Sequence, residues 1–361
     1  MDEFLNGKMK ALVASGVGEY ELALDFPIPE CGPDEVLIKT EGCGICAGDL
    51  KCYKGASRFW GDENQPMWVK PPFIPGHEFL GHIVKIGENV KGFEIGERVI
   101  AEQIVPCGEC RYCKTGRYWM CEPHATFGFQ KENNGGMSEY TLFPKTALIH
   151  KVPQDLPIEK ALLIEPYACS KHAVDRANIS NEDVVVISGA GTLGLGMVTY
   201  AHMKNPYKLI VIDLVDERLE KAKEFGADIV LNPNKEDVVQ VIKDLTEGYG
   251  CDIYIEATGH TSSVNQGLQA IRKLGTFVEF SVFGEDTTVD WSIIGDVKEL
   301  DLLGAHLSPY CYPFVIEHIA NGSLKTDGLV TSTYPIEQWE EGFEKATGVD
   351  GDFKVALLFD K

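Results

Sequence analysis

Four closely spaced cysteines constrain the fold of this chain more than any other feature. They follow the spacing C-x2-C-x2-C-x7-C and are Cys107, Cys110, Cys113 and Cys121. Thiolates at this spacing can converge on one tetrahedral Zn²⁺ at about 2.3 Å per bond, and four sulfur ligands leave no position for a substrate. We therefore predict a closed zinc site that stabilises the fold and takes no part in chemistry.

Two other interpretations of the four cysteines agree less well with the rest of the sequence. A pair of disulfides would suit an exported protein, but the chain begins Met-Asp-Glu-Phe with no apolar leader, which favours a reducing cytoplasm. A zinc finger that reads nucleic acid needs a basic surface. The chain instead has 55 acidic against 33 basic residues, so its net charge of −22 would repel a phosphate backbone.

The length and composition favour a two-domain protein. At 361 residues the chain exceeds the size at which a single hydrophobic core usually stops growing. No uninterrupted apolar run of about 18 residues occurs, so no membrane partner is expected. The acidic balance is typical of a soluble, cytoplasmic protein, and the odd number of cysteines, 11, argues against a fully paired secreted framework.

The first part of the chain is predicted to be rich in strands. Residues 8 to 40 alternate in the manner of half-buried strands separated by Pro and Gly turn signals. The glycine-rich segment from Glu41 to Asp49 reads as a strand end that turns into a short helix, where Cys46 can face a cleft. Residues 55 to 75, which include Phe59, Trp60, Trp68 and four prolines, are predicted to form an irregular loop with a functional role.

A second metal site is indicated by residues that lie farther apart. His77 adjoins the carboxylate of Glu78, lies downstream of Cys46, and precedes a strand at 83 to 86, while Glu165 stands where a helix should begin. One Cys, one His and one or two Glu, with water at the open position, would make a catalytic zinc site. A lone His is more often a hydrogen-bonded core or surface residue. Cys43 also forms a C-x2-C pair with Cys46 that could bind metal or act as a redox pair.

The second half of the chain carries a dinucleotide-binding pattern, G-x-G-x-x-G, between a buried strand and an apolar helix. The residues predicted to approach the pyrophosphate are Gly189, Gly191, Thr192, Leu193 and Gly194.

The next strand ends in Asp213, which stands 22 residues after Gly191. This acid can accept hydrogen bonds from ribose hydroxyls and would repel a 2′-phosphate, which favours NAD over NADP. A helix N-cap or a solvated strand end would explain Asp213 without a cofactor. The nearby Arg218 keeps NADP open as an alternative.

Strands and helices continue to alternate up to about residue 305, which predicts a doubly wound parallel sheet with its ligand at the carboxyl ends of the strands. Strands are expected at 229–231, 251–256 and 276–282, with helices near 235–247 and up to Arg272. Thr258 and Val282 lie at strand ends where the nicotinamide should rest. Beyond residue 305, two helices and a terminal strand at 353–359 are predicted to rejoin the first domain. The domains are therefore expected to be 1–164 with 306–361, and 165–305.

In this order, the motifs resemble those of the zinc-dependent medium-chain dehydrogenases, the family of alcohol and polyol dehydrogenases, along essentially the whole chain. The motifs that carry the resemblance are Gly44-Ile-Cys46-Ala-Gly-Asp49, Pro75-Gly-His77-Glu78, the four cysteines, Ile164-Glu165-Pro166 and Gly189-Ala-Gly191-Thr-Leu-Gly194. The resemblance implies an α/β fold in which a doubly wound Rossmann domain is joined to a GroES-like, β-rich catalytic domain. It also implies NAD as cofactor, two zinc ions per chain, one catalytic and one structural, and a homodimer or homotetramer.

By the same resemblance, Cys46 and His77 are ligands of the catalytic zinc, whereas Glu78 and Glu165 are ligands or near-ligands that exchange with water. With a glutamate at position 165, the site resembles those of the sorbitol and threonine dehydrogenases of this family. The segment 49–56, with Phe59-Trp60-Gly61-Asp62 and Pro71-Pro72-Phe73, is similar to its erythritol and threitol dehydrogenases.

The expected reaction is zinc-assisted hydride transfer from a secondary alcohol of a small polyol to NAD. Alternatives are a threonine-type amino-alcohol or simple diol dehydrogenase, a zinc-free quinone or enoyl reductase, and a nucleotide-sensing or structural protein with a vestigial site.

One departure from the family pattern concerns proton transfer. The family commonly has Ser or Thr two residues after the cysteine ligand, where this chain has Gly48, and Lys51 replaces a nearby histidine. The proton relay must therefore differ. We expect the proton to leave through water, with Glu78 or Glu165 as its acceptor.

Overall fold

The computed structural model describes residues 7–284, 286–348 and 351–359, so the leading Met-Asp-Glu-Phe segment lies outside the described residues. The chain divides into two compact units. The first contains the described residues up to Glu165, Tyr312–Ala320 and those from Thr326 onward, and the second contains Pro166–Cys311 and Asn321–Lys325. Within the described ranges, no helix is long and apolar enough to cross a membrane.

The strands follow one another along both units. In chain order they are β1 (Lys8–Gly16), β2 (Glu19–Pro27), β3 (Val36–Ile45), β4 (Glu78–Ile86), β5 (Arg98–Ala101), β6 (Tyr140–Phe143), β7 (Ile149–Lys151), β8 (Val184–Ser188), β9 (Lys208–Ile212), β10 (Ile229–Leu231), β11 (Cys251–Glu256), β12 (Ile271–Glu279), β13 (Asp301–Gly304), β14 (Val330–Pro335) and β15 (Lys354–Leu358).

The helices are shorter in the first unit than in the second. In chain order they are α1 (Ala47–Tyr53), α2 (Ser57–Trp60), α3 (Arg111–Lys114), α4 (Ile158–Ala161), α5 (Ile164–Ala177), α6 (Thr192–Met203), α7 (Asp216–Phe225), α8 (Val238–Leu245), α9 (Thr261–Ala270), α10 (Tyr312–Ala320) and α11 (Trp339–Lys345). Single turns of 3₁₀ helix lie at Tyr118–Met120 and Ile336–Gln338, and a π-helical turn lies at Ile293–Val297.

The first unit is built on a seven-stranded sheet in the order β14-β15-β3-β4-β5-β7, with β6 also paired to β3. The terminal strand β15 runs antiparallel to β3, with Val355 opposite Ile45. This pairing confirms the prediction that the last strand rejoins the first part of the chain. Aromatic and aliphatic side chains such as Phe73, Phe79 and Phe127 fill the core against this sheet.

The second unit contains the predicted doubly wound sheet. Its six strands are all parallel, in the order β10-β9-β8-β11-β12-β13. The chain runs outward from β8 in one direction and from β11 in the other, so the strand order reverses between these two neighbours. Open α/β sheets bind ligands at this reversal, beyond the carboxyl ends of the strands.

Several boundaries differ from the sequence prediction for local physical reasons. The loop at 55–75 contains the short helix α2. Strand β4 begins at Glu78 rather than 83, because Glu78 pairs across the sheet with Gly44. Helix α8 begins at Val238 because the Asp237 side chain accepts a hydrogen bond from the N–H of Gln240 at 3.0 Å. Helix α9 ends at Ala270, two residues before the predicted end, because β12 begins at once.

Candidate metal centres and dinucleotide site

The four predicted cysteines converge in the loop and short helices after β5. Their sulfur atoms all lie within 4.8 Å of one another, and the Sγ atoms of Cys107 and Cys113 are 4.0 Å apart. Backbone N–H groups donate to these sulfurs, from Cys107 to Cys121 at 3.2 Å and from Cys110 to Cys107 at 3.3 Å. Such donors stabilise thiolates, and thiolates are the form that binds metal.

The four thiols differ in how readily they ionise. Backbone N–H groups of Cys113 and Glu122 lower the pKa of the Cys110 thiol to about 6. Desolvation instead raises the pKa of the Cys113 thiol to about 12. All four can ionise together only beside a compensating cation, and the all-sulfur donor set fits Zn²⁺.

The second group of possible ligands is formed by Cys46, His77 and Glu78, whose donor atoms also lie within 4.8 Å of one another. Cys46 is the N-cap of α1, directly after β3, while His77 and Glu78 lie at the start of β4. The antiparallel pairing of β3 with β4 brings the two segments together. His77 and Glu78 are buried, and Cys46 is partly exposed. Three protein donors would leave the fourth position of a tetrahedral zinc for water or substrate, as in a catalytic zinc site.

Asp49 orients this group, and its role was missed by the sequence prediction. One carboxylate oxygen, Oδ2, accepts the backbone N–H of Cys46 at 2.9 Å, and the other, Oδ1, lies 3.4 Å from Nδ1 of His77. The negative charge of a carboxylate beside Nδ1 favours a proton on that nitrogen, which would leave Nε2 for a metal. The spacing of three residues between Cys46 and Asp49, which is that of a capping box, was the available sequence signal.

Lys354 makes a buried ion pair with Glu78 that the sequence did not predict. Its Nζ donates to both carboxylate oxygens of Glu78, at 2.6 and 2.8 Å, and to the carbonyl oxygen of Ile45 at 3.1 Å. Burial lowers the pKa of Lys354, but the charges of Glu78, Cys46 and Glu165 outweigh it, so the pKa lies above its usual value. The negative groups around Lys354 therefore favour a positive charge at this place, as a metal-ion site requires.

Glu165 lies in the first turn of α5 and is buried. Its Oε1 accepts a hydrogen bond of 2.6 Å from Nε2 of Gln103, the second residue after β5. Glu165 is not part of the three-residue group of donor atoms, although its charge acts on Lys354. Its role as a ligand or near-ligand therefore stays a prediction.

The space beside Cys46 and His77 is open at position 48. A Cβ atom at Gly48 would lie 3.8 Å from Sγ of Cys46 and 3.9 Å from Cε1 of His77, both ordinary contact distances. A hydroxyl side chain here would fit and would face both donors, so its absence removes a proton acceptor from this point. Lys51 is partly buried in the last turn of α1.

Aromatic side chains of the 55–75 loop reach this centre through Phe129. The Phe129 ring lies 5.4 Å from the His77 ring. Phe59 and Trp68 pack on Phe129 at ring distances of 5.3 and 5.2 Å. The loop therefore packs behind Phe129, the ring that lies beside His77, and its functional role stays a prediction.

The three glycines of the predicted dinucleotide loop differ in their surroundings. Gly189 has φ +107°, and a Cβ there would lie 2.9 Å from the carbonyl oxygen of Ala257. A Cβ at Gly194 would lie 1.8 Å from the carbonyl oxygen of Gly189, whereas one at Gly191 would meet nothing within 4 Å. The loop thus combines a tight turn, an open approach and close helix packing, which fits a pyrophosphate at the N-terminus of α6. Thr192 and Leu193 form the first turn of that helix.

Asp213 is tied to the same loop by its side chain. Its Oδ2 accepts the backbone N–H of Ala190 at 2.7 Å, and Oδ1 accepts that of Val215 at 2.9 Å. The N-cap of α7 is Val215, so the N-cap alternative for Asp213 is wrong. Nε of Arg218 is buried without a hydrogen-bond partner in the described residues.

The predicted nicotinamide residues lie beyond β11 and β12. The backbone N–H of Thr258 donates to Oε1 of Glu256 at 2.8 Å, and its hydroxyl donates to the same oxygen. Val282 is exposed. Glu256 was missed by the sequence prediction, because a charged residue at a strand end is usually solvated.

Comparison with known proteins agrees with this arrangement of motifs and sheets. The model of the alcohol dehydrogenase GroES-like domain matches residues 32–154, and that of the zinc-binding dehydrogenase domain matches residues 192–321. The chain therefore belongs to the zinc-binding medium-chain alcohol dehydrogenase family, whose members are oxidoreductases that typically use zinc and a nicotinamide dinucleotide.

Among its relatives, the erythritol/L-threitol dehydrogenase of Mycolicibacterium smegmatis is 48% identical over 97% of this chain and 98% of its own length. The L-threonine 3-dehydrogenase of Pyrococcus horikoshii is 35% identical over 94% of this chain and 96% of its own. A zinc-binding dehydrogenase of Sinorhizobium meliloti, solved with NADP, superimposes with a TM-score of 0.88 at 28% identity, covering 98% of this chain and 99% of its own.

Proposed function

We propose that this protein oxidises a secondary alcohol of a small polyol, of the erythritol, threitol or sorbitol class, with NAD as hydride acceptor and zinc at the Cys46 centre. The observation that carries the proposal is the group of three donor residues, Cys46, His77 and Glu78. A catalytic zinc site has three protein ligands and keeps its fourth position open for substrate. The 48% identity to an erythritol/L-threitol dehydrogenase along nearly the whole chain supports the polyol class.

In this proposal, Cys46 and His77 hold the catalytic zinc, with Glu78 beside them, and the four clustered cysteines hold the structural zinc. Zinc at the first centre supplies a Lewis acid that lowers the pKa of the substrate hydroxyl. Asp49 places a negative charge 3.4 Å from Nδ1 of His77, which favours a proton there and leaves Nε2 for the metal. Lys354 fixes the Glu78 carboxylate through two hydrogen bonds. The wall of Phe129, Phe59 and Trp68 limits the access of water to one side of His77.

We assign the substrate proton to Glu165 rather than Glu78. Both oxygens of Glu78 accept hydrogen bonds from Lys354, and protonating such a carboxylate would leave a buried ammonium group without its counter-ion. Glu165 is held by the neutral Gln103 amide through Oε1, and the position of a relay hydroxyl is taken by Gly48.

Replacing Glu165 by Gln is therefore expected to lower kcat/KM by about 100-fold, the usual contribution of a positioned acid–base group. The zinc content should stay unchanged if Glu165 is not a tight ligand. Steady-state kinetics across pH and metal analysis measure both effects. Full activity with an unchanged pH profile and full zinc content would exclude this role for Glu165.

The cofactor preference is proposed to be NAD. Asp213 follows β9 and is fixed against the glycine loop, so its negative charge would oppose a 2′-phosphate. Arg218 and the S. meliloti relative solved with NADP support NADP as the alternative. Parallel kinetics with NAD and NADP separate the two.

The proposed activity is tested by following NAD reduction across C3 to C6 polyols, simple diols and threonine with zinc-replete enzyme. The highest kcat/KM is expected for a four-carbon polyol, with two zinc ions per chain by metal analysis. A higher value for threonine would assign the amino-alcohol activity, as in the P. horikoshii relative. Less than one zinc per chain would favour a zinc-free reductase. Tight NADH binding and two zinc ions without turnover would favour a nucleotide-sensing protein.

An oligomer is also part of the proposal. In the described residues, β13 lies at the edge of its sheet and pairs on one side only, with β12. Leu302 on β13 is an exposed apolar side chain, as are Trp291 and Val297 in the segment that precedes β13 in the chain. An edge of this kind favours pairing with a second chain. We expect light scattering to give the molar mass of a homodimer or homotetramer. The cytoplasmic location stays a prediction.

A further inference from the structure

Glu256 is a buried carboxylate at the carboxyl end of β11, with 0% of its surface exposed. Its Oε1 accepts the backbone N–H of Thr258 at 2.8 Å and the hydroxyl of the same residue. The backbone N–H of Gly259 is shared between both oxygens at 3.2 Å. The side chain therefore fixes the turn that follows the strand.

This turn lies at the reversal of strand order. Glu256 stands opposite Ser188 in the parallel pairing of β11 with β8, and the N–H of Ala257 donates to the carbonyl oxygen of Ser188 at 2.9 Å. The glycine loop begins at the next residue, Gly189, where a Cβ would touch Ala257. Glu256 thus holds one wall of the crevice whose other wall is the dinucleotide loop.

The direction in which the cofactor crosses the sheet follows from the strand order β9-β8-β11. Asp213 follows β9, where a ribose of the adenosine half would bind, and the glycine loop follows β8, where the pyrophosphate would bind. The remaining half, which carries the nicotinamide, then extends toward the end of β11. Glu256 is fully buried at that end, with the partly buried Glu279 beside it on β12.

The charge of Glu256 is not neutralised by a cation. All of its hydrogen-bond donors in the described part of the chain are neutral, namely two backbone N–H groups and one hydroxyl. A charge buried in a low-dielectric interior acts over longer distances than one in water. A neutral amide could accept the same three hydrogen bonds at Oε1, so the negative charge exceeds what the turn alone requires.

We propose that the Glu256 carboxylate, buried beneath the nicotinamide half of the dinucleotide site, strengthens the binding of NAD⁺ relative to that of NADH, an inference that rests on the NAD binding proposed above. The two forms differ in charge only at the nicotinamide ring, which is positive in NAD⁺ and neutral in NADH. A negative charge at this end of the site therefore stabilises the oxidised form selectively. Glu256 acts as a positioning residue, through the turn it fixes and the field it creates.

The test compares the Kd values of NAD⁺ and NADH, measured by calorimetry without substrate, for the wild type and Glu256→Gln. Gln keeps the acceptor at Oε1, which receives three of the hydrogen bonds, and removes the charge together with the weaker Oε2 acceptor of the Gly259 N–H. The Kd for NAD⁺ is expected to rise about fivefold while that for NADH changes less than about twofold. The matched control is Glu182→Gln, which makes the same change of charge in the exposed segment before β8. This segment lies at the amino ends of the strands, away from the dinucleotide loop, so neither Kd should change.

A second variant separates the charge from the shape of the turn. Glu256→Asp keeps the charge and shortens the side chain. It should therefore weaken the binding of NAD⁺ and of NADH alike and leave the ratio of their Kd values unchanged. Equal changes of both Kd values in Glu256→Gln, or no change in either, would overturn the proposal, as would a fivefold change of the ratio in Glu256→Asp. A wild type that binds neither form would instead refute the proposed function.

Discussion

Replacing Cys110 by Ser is expected to lower the temperature of the first thermal unfolding transition by at least about 10 °C and to remove one of two zinc ions per chain. The reason is that Cys110 is one of four sulfur atoms within 4.8 Å of one another, and the loop around them has little apolar packing of its own. Metal binding in such a segment is coupled directly to folding. Differential scanning calorimetry and metal analysis measure the two effects.

The matched control is Cys31→Ser, because Cys31 belongs to neither group of possible ligands and its Sγ donates to the carbonyl oxygen of Glu35 at 3.3 Å, a bond that a hydroxyl can keep. This variant should keep both zinc ions and nearly the wild-type transition. The division of roles between the two centres would be contradicted if Cys110→Ser stayed as stable as the wild type and lost only turnover.

Among the predicted site residues, the four cysteines and the glycine loop are brought together by local geometry. The four cysteines lie within one segment, so their spacing alone determines that they can share a metal. The same holds for the glycine loop, in which the strand before and the helix after are adjacent in sequence. The parallel sheet was predicted from the alternation of strands and helices, because the apolar pattern of each segment indicates whether it forms a strand or a helix.

The residues that were missed depend on contacts between distant segments. Lys354 and Glu78 are 276 positions apart and meet because β15 and β4 both pair with β3. Gln103 and Glu165 are 62 positions apart. No pattern in one sequence identifies such partners, because each side chain has an ordinary solvated alternative in its own segment.

Boundaries were less predictable than element types for a related reason. The strand prediction at 83–86 followed the apolar residues, but backbone pairing with β3 extends β4 back to the charged Glu78. A glutamate inside a buried strand is acceptable only because Lys354 pairs with it. The boundary and the missed partner therefore have the same physical cause.

Replacing Lys354 by Met is expected to lower the free energy of unfolding by about 3 to 5 kcal/mol, because it leaves the Glu78 carboxylate buried without its counter-ion. The two side chains are 5% and 2% exposed, so water cannot take over the role of the ammonium group. Urea unfolding followed by fluorescence measures the loss. Turnover should fall as well, because Glu78 is then free to leave its position beside Cys46 and His77.

A double variant, Lys354→Met with Glu78→Gln, tests whether the loss comes from the unpaired charge. A neutral amide is less costly to bury than a carboxylate, so the double variant should be more stable than Lys354→Met alone. The matched control is Lys160→Met, which breaks the more exposed pair with Asp327 and should cost less than about 1 kcal/mol. If the double variant lost as much as the two single variants added together, the pair would not be coupled, and another cause would be needed for the burial of Lys354.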